Sequence, residues 1–280
     1  GVKIIGKQND NSDDKMKEKI MQEMKYMDKE IVSMLNLMNN ITFSNYKVIE
    51  SNQNNKQDQN SNESSQSYDQ STNTTSDNNT SSNTTSSGGE GNTNTQSNNS
   101  TLMSMAPNTI LNGNQDNNID WKTLKKDIEI MYLSWSTIVE DLYSKEINGD
   151  DILKFGNLFD TVIINIKNED KINSMKNLAS MYNMLPIFIE KISGAGLANI
   201  QYVKSLIINS YVLVEEDKWD DIPIQLDGAI NYYTKMYDEN KNDNTGYILL
   251  EELKKSVQSK DKELFYIKYK YCMETILNYS

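Results

Sequence analysis

Seven apolar residues near the start of the chain, Ile20, Met24, Met27, Ile31, Met34, Met38 and Ile41, follow one another at alternating steps of four and three. That interval returns each side chain to one face of an α-helix, so residues 12 to about 43 predict a helix with one buried seam. Ser12 or Asp13 is placed to cap its start, and Asp13 and Asp14 suit the positive helix N-terminus. A lone helix of this kind is marginal in water and needs the rest of the chain, or a partner, to cover its seam. The methionines admit two readings, a soft, adaptable ligand surface or ordinary core packing in a chain of AT-rich codon bias.

The same period governs the other end of the chain. Trp121, Leu124, Ile128, Met131, Trp135, Ile138 and Leu142 repeat it, and Ile152, Phe155, Phe159, Val162 and Ile166 follow on the next segment. Gly149 reads as the end of the first of these helices and Asp150 as the cap of the second. The segment 169–192 reads as a helix that Pro186 should kink or split. SGAG (193–196) is the clearest break. Beyond it comes a helical pair turning near Asp217–Asp221, with Pro223 tolerated near the start of the second member. Two more helices follow, the last capped by Asp261. No segment alternates with the period of a strand. The fold class is therefore all-α: an antiparallel helical bundle with a long N-terminal helix.

Residues 51–118 are of another kind, nearly all Asn, Ser, Thr, Gln and Gly. Such a stretch buries too little apolar surface to offset its ordering entropy and is expected to be a disordered linker. It divides the chain into an N-terminal amphipathic helix (1–50) that packs on the bundle, the linker (51–118) and a helical bundle domain (119–280). Loop-closure cost grows slowly with length, which makes the insertion tolerable. A small apolar island, Thr101–Leu111, is placed to dock on the folded part.

Composition removes whole classes of chemistry. All 28 basic residues are lysine, with no arginine and no histidine. Catalysis through imidazole and metal sites built on it are excluded, as is the bidentate guanidinium clamp. A net charge of −12 argues against nucleic acid as a partner. The single cysteine, Cys272, permits no internal disulfide; it lies on the stripe Phe265, Tyr269, Cys272, Ile276 and reads as a buried structural thiol. No apolar run reaches the ~18 residues of a membrane span.

Three motifs have a chemical reading beside a structural one. In DENKNDNTGYILLEEL (238–253) a calcium-loop frame places Gly246 sixth, Ile248 eighth and Glu252 twelfth, with Asp243 third and Thr245 fifth. Its first position is Lys241, whose ammonium stands where the first carboxylate belongs, so the expectation is a solvated connection closed by Gly246. In DKWDDIP (217–223) Trp219 with Asp220 and Asp221 is a carbohydrate platform with carboxylates, or else a core anchor at a helix turn whose acids favour the next helix N-terminus. Trp219, Leu226, Ala229 and Tyr232 faintly match one tetratricopeptide-type helix pair, without a second copy. No metal, cofactor or catalytic residue is assigned.

LYSKEINGDDILKF, IKNEDKINSMKNLASMYNMLPIFI and NSYVLVEEDKWDDI resemble segments of uncharacterised clostridial-type envelope lipoproteins, over residues 12–50 and 119–280. In that group a signal peptide and a lipidated cysteine precede a polar spacer and a helical domain. The resemblance implies an extracytoplasmic location in a low-GC Gram-positive bacterium, on the surface or anchored to the membrane through a lipidated cysteine ahead of Gly1. It implies no activity. The expected function is non-enzymatic binding or scaffolding at the envelope, with an unknown protein or envelope component as partner. The alternatives are a carboxylate-only enzyme acting on cell-wall glycan and a cytoplasmic tetratricopeptide-like interaction module.

Overall fold

A computed structural model describes residues 8–43, 109–113, 118–237 and 244–277. Among them are eight α-helices and no strand: α1 (Gln8–Leu37), α2 (Trp121–Ser144), α3 (Gly149–Lys167), α4 (Lys171–Ser193), α5 (Ala195–Glu215), α6 (Ile222–Tyr237), α7 (Thr245–Ser256) and α8 (Lys262–Leu277). Short 3-10 turns, Trp219–Asp221 and Val257–Ser259, precede α6 and follow α7. The all-helical fold expected from the apolar period is present. Among the described residues no helix is long and apolar enough to cross a membrane. The tract expected to be disordered lies outside the described residues except at its C-terminal end. There Ile110 is buried in the core, which seats the end of the apolar island.

The helices form two rings of four. α1 packs on α2 and α4, and α3 closes the first ring between them; α5 packs on α6 and α8, and α7 closes the second. The rings join along the α4–α5 hairpin, where one residue, Gly194 with φ of 88°, turns the chain. An L side chain rarely adopts that backbone, so glycine is required there. Each ring has an aromatic centre. Trp135, Phe155 and Phe188 meet in the first, with centroids 4.5 and 5.6 Å apart about Phe155. In the second, Tyr211 stacks on Tyr269 at 4.7 Å, and Trp219 stands edge-on to Phe265. Ring pairs of this kind add about 0.5–1.5 kcal/mol each beyond their burial.

Several local expectations are corrected. α1 starts at Gln8, so Ser12 and Asp13 lie inside it; Asp13 instead pairs with Lys17 at 3.5 Å and with Lys145 of the α2–α3 turn. Gly149 does not end α2. Glu146 takes the left-handed turn (φ 58°) and Asn148 caps α3 by accepting the amide of Asp150 at 2.9 Å. Of the two effects expected of Pro186, the split is absent: α4 runs unbroken from Lys171 to Ser193. A proline at 186 cannot donate to the carbonyl of Tyr182, and the Ser205 hydroxyl of α5 shares its proton between that oxygen at 3.2 Å and the Gln201 carbonyl at 2.9 Å. The cap expected at Asp261 is present, accepting the Leu264 amide at 2.8 Å.

The largest departure concerns α1. All seven seam residues are at most 5% exposed, as the period requires. Both flanks of the seam are buried too, because α1 lies between α2 and α4 and its end reaches α5 and α8, while Glu18, Gln22 and Lys25 on the far side stay exposed. Tyr26, Val32 and Leu35 are buried there, and so are Glu23, Asp28, Glu30, Asn36 and Asn39.

Candidate functional site

The four buried polar residues of α1, and Asn39 just past its end, each meet a partner on another helix. Glu23 accepts from the Ser134 hydroxyl of α2. Asp28 accepts from Tyr182 of α4 at 2.5 Å and from the Lys204 ammonium of α5 at 2.6 Å. Lys204 is 1% exposed, so this is a fully desolvated ion pair. Its neutral surroundings make the hydrogen bonds strong and leave either partner costly if the other is removed. Asn36 accepts from Tyr269 of α8 at 2.7 Å.

Asn39, just past the end of α1, is the hub where the two rings meet. Its side-chain amide donates to Tyr211 at 2.6 Å and to Glu215 at 2.9 Å, both on α5, and accepts from Lys171 at 2.8 Å. Tyr211 in turn donates to the backbone carbonyl of Leu35 at 2.9 Å. Glu215 also forms an ion pair with Lys171 at 3.4 Å and accepts a hydrogen bond from Tyr266. Burial holds the Tyr211 and Tyr269 hydroxyls well above the ordinary phenol range, so both remain donors at neutral pH.

Glu30 differs from the others because its neighbour is a carboxylate. Burial, then the Asp127 carboxylate of α2, push its carboxyl up to about 8. Burial also raises Asp127, and burial with Glu30, Asp127 and Glu23 nearby raises Tyr26. Glu30 is therefore protonated at neutral pH and donates to Asp127. Periodicity does not reveal these residues as buried, since Glu23, Asp28 and Glu30 lie at the margins of the seam, between it and the exposed face of Glu18, Gln22 and Lys25. The one hint is the density of Met and Ile on both flanks of them.

The calcium frame is only partly described. Lys241 and Asp243 lie outside the described residues. Glu252, at its last position, pairs with Lys268 of α8 at 3.1 Å. Gly246 does not close a connection; it sits in the first turn of α7, and a Cβ there would fall on the Tyr233 ring. Glycine is needed for that close approach. Among the described residues no group of three acidic or thiol side chains is placed to hold a metal ion.

Trp219 is 8% exposed and packs on Phe265 as a core anchor. Beside it lies a cleft of about 520 Å³ lined by Trp219, Asp220, Pro223, Glu251, Lys254 and Lys255 among others. The fold thus brings motif 217–223 against α7 of motif 238–253. Asp220 is 96% exposed in its side chain, with Lys260 at 3.8 Å; Asp221 is exposed as well. Neither is enclosed by the apolar walls that a glycosidase acid requires. Leu226 and Ala229 are fully buried and Tyr232 stacks on Tyr202 at 4.7 Å, so α5 and α6 do form a pair. α5 also meets α8, which closes a ring where a tetratricopeptide stack would stay open. Cys272 is fully buried, and burial pushes its thiol far up.

The surface of the first ring has an apolar face. Tyr132 and Leu133 of α2 and Leu153 and Ile164 of α3 are 43–59% exposed. A groove of about 320 Å³ runs between the two helices over Ile128, Tyr132, Ile163 and Ile166. Comparisons of the chain with protein-family models, with curated proteins and with solved structures find no match.

Proposed function

We propose that this chain is a non-enzymatic helical-bundle protein with a binding or scaffolding role at the bacterial cell envelope. One observation carries the first half of the reading: the ion pair Asp28–Lys204 is sealed between helices, and the partly buried Asn39–Glu215–Lys171 hub is engaged in joining them. Both sets are consumed in joining α1 to α4, α5 and α8, so they stiffen a platform, and the Asp28–Lys204 pair is out of reach of a substrate. The location rests on the resemblance of residues 12–50 and 119–280 to envelope lipoproteins.

The test is made on the native protein in its own organism, by cell fractionation followed by intact mass. Membrane association with extra mass fitting a diacyl-modified cysteine ahead of Gly1 supports the reading. A cytosolic, unmodified chain starting from an initiator Met overturns the location and favours a cytoplasmic helical adaptor.

A further inference from the structure

The outward stripes of α2 and α3 are chemically palindromic. On α3 the residues Asp150, Leu153, Asn157, Asp160, Ile164 and Lys167 are spaced by three and four, and all are exposed. Reversed end to end, the stripe lays Asp150 on Lys167, Leu153 on Ile164 and Asn157 on Asp160. On α2 Lys126 and Glu140 stand seven residues to either side of exposed Leu133. Reversal about Leu133 lays the lysine on the glutamate and the leucine on itself.

The two midpoints coincide in space. Tyr132 of α2 meets Phe159 of α3 with ring centroids 5.5 Å apart, which sets Leu133 level with the middle of the α3 stripe, between residues 158 and 159. One two-fold axis, across both helices, therefore serves both stripes. None of Lys126, Glu140, Asp150 and Lys167 forms an ion pair with a described residue, whereas neighbouring Lys125 is taken by Glu169 at 3.0 Å.

We propose that the α2–α3 face is an isologous dimer interface whose partner is a second copy of this chain, packed α2 on α2 and α3 on α3 in antiparallel sense. A two-fold contact requires a self-complementary patch, and this one pairs opposite charges at both ends of an apolar middle. The alternative two-fold, along the helices, lays the basic ends on each other and is repulsive. α3 has 19 residues, about 28 Å of helix, and two packed helices span about 20 Å. The face is then about 600 Å² per copy, or about 1,200 Å² in all, at the small end of specific interfaces. A reversible dimer with a dissociation constant on the order of micromolar is the expected strength.

Sedimentation velocity on the full chain, from about 1 to about 200 µM, reads the equilibrium directly. A monomer–dimer transition in that range is expected. Leu133→Asp, at a position 52% exposed, should abolish it without changing the helical circular dichroism spectrum. Lys126→Glu and Glu140→Lys should each weaken the dimer at least about tenfold, and the double variant should recover most of the loss, as a pair across an interface does. A chain that is monomeric at the highest concentration overturns the proposal. So does a dimer indifferent to Leu133→Asp, or a double variant no tighter than the weaker single. Failure here leaves the envelope scaffold standing, since that reading does not use this face.

Discussion

Replacing Glu30 by glutamine tests whether α1 is held to α2 through a protonated carboxyl. The folded protein holds Glu30 at about 8 against an ordinary 4.5, so folding favours its neutral form. The contribution is fully present below about pH 4.5 and is lost as pH rises towards 8, because the unfolded chain binds fewer protons there. At about 1.4 kcal/mol per pH unit, the full interval amounts to about 5 kcal/mol, of which about 4 kcal/mol falls between about pH 5 and about pH 9. That loss is a large share of the stability of a typical domain. Glutamine keeps a donor towards Asp127 and has nothing to ionise. Urea unfolding across this range should show the parent losing stability with rising pH and Glu30→Gln losing far less. The two should be close at about pH 5, and the variant should be more stable by several kcal/mol at about pH 9. A difference between them that stays constant over the whole range would refute the reasoning.

Removing Lys204 by Lys204→Met leaves Asp28 buried with only Tyr182 as partner, and urea unfolding should register a loss of about 3–5 kcal/mol. Ser205→Ala removes a hydroxyl shared by the Tyr182 and Gln201 carbonyls and should cost about 1 kcal/mol; in a Pro186→Ala background, where a helical amide returns to the Tyr182 carbonyl, the same change should cost less by a double-mutant cycle. Gly246→Ala places a methyl on the Tyr233 ring and should lower stability by about 1–3 kcal/mol, with partial recovery when combined with Tyr233→Leu. A calcium titration monitored by melting temperature should leave the protein unmoved at millimolar levels, since Glu252 is engaged by Lys268; a clear rise would revive the calcium reading of 238–253.

The sequence by itself determined the class of fold, because apolar spacing is a one-dimensional record of which side of a helix is covered. The steps of three and four at Ile20–Ile41, Trp121–Leu142 and Ile152–Ile166 place those side chains in the core, and every one except partly buried Trp121 is buried. The break at Gly194 and the cap at Asp261 were equally legible, since each is a local backbone requirement. Lack of arginine and histidine limited the chemistry before any coordinate was known. What only the tertiary structure decided was the environment of polar residues. Glu23, Asp28 and Glu30 stand at the margins of the α1 seam and would be solvated on a lone helix, yet α2, α4 and α5 cover those margins, and burial, then a carboxylate far away in the chain, raises the Glu30 carboxyl. Pro186 reads as a helix breaker, yet α4 runs on through it and the Ser205 hydroxyl, on another helix, reaches the carbonyl to which proline cannot donate. Gly246 reads as a turn residue until Tyr233 is seen to occupy the space of its side chain. In each case the deciding partner is distant in sequence, and burial changes the free energy of a charge or a hydrogen bond by more than any local propensity does.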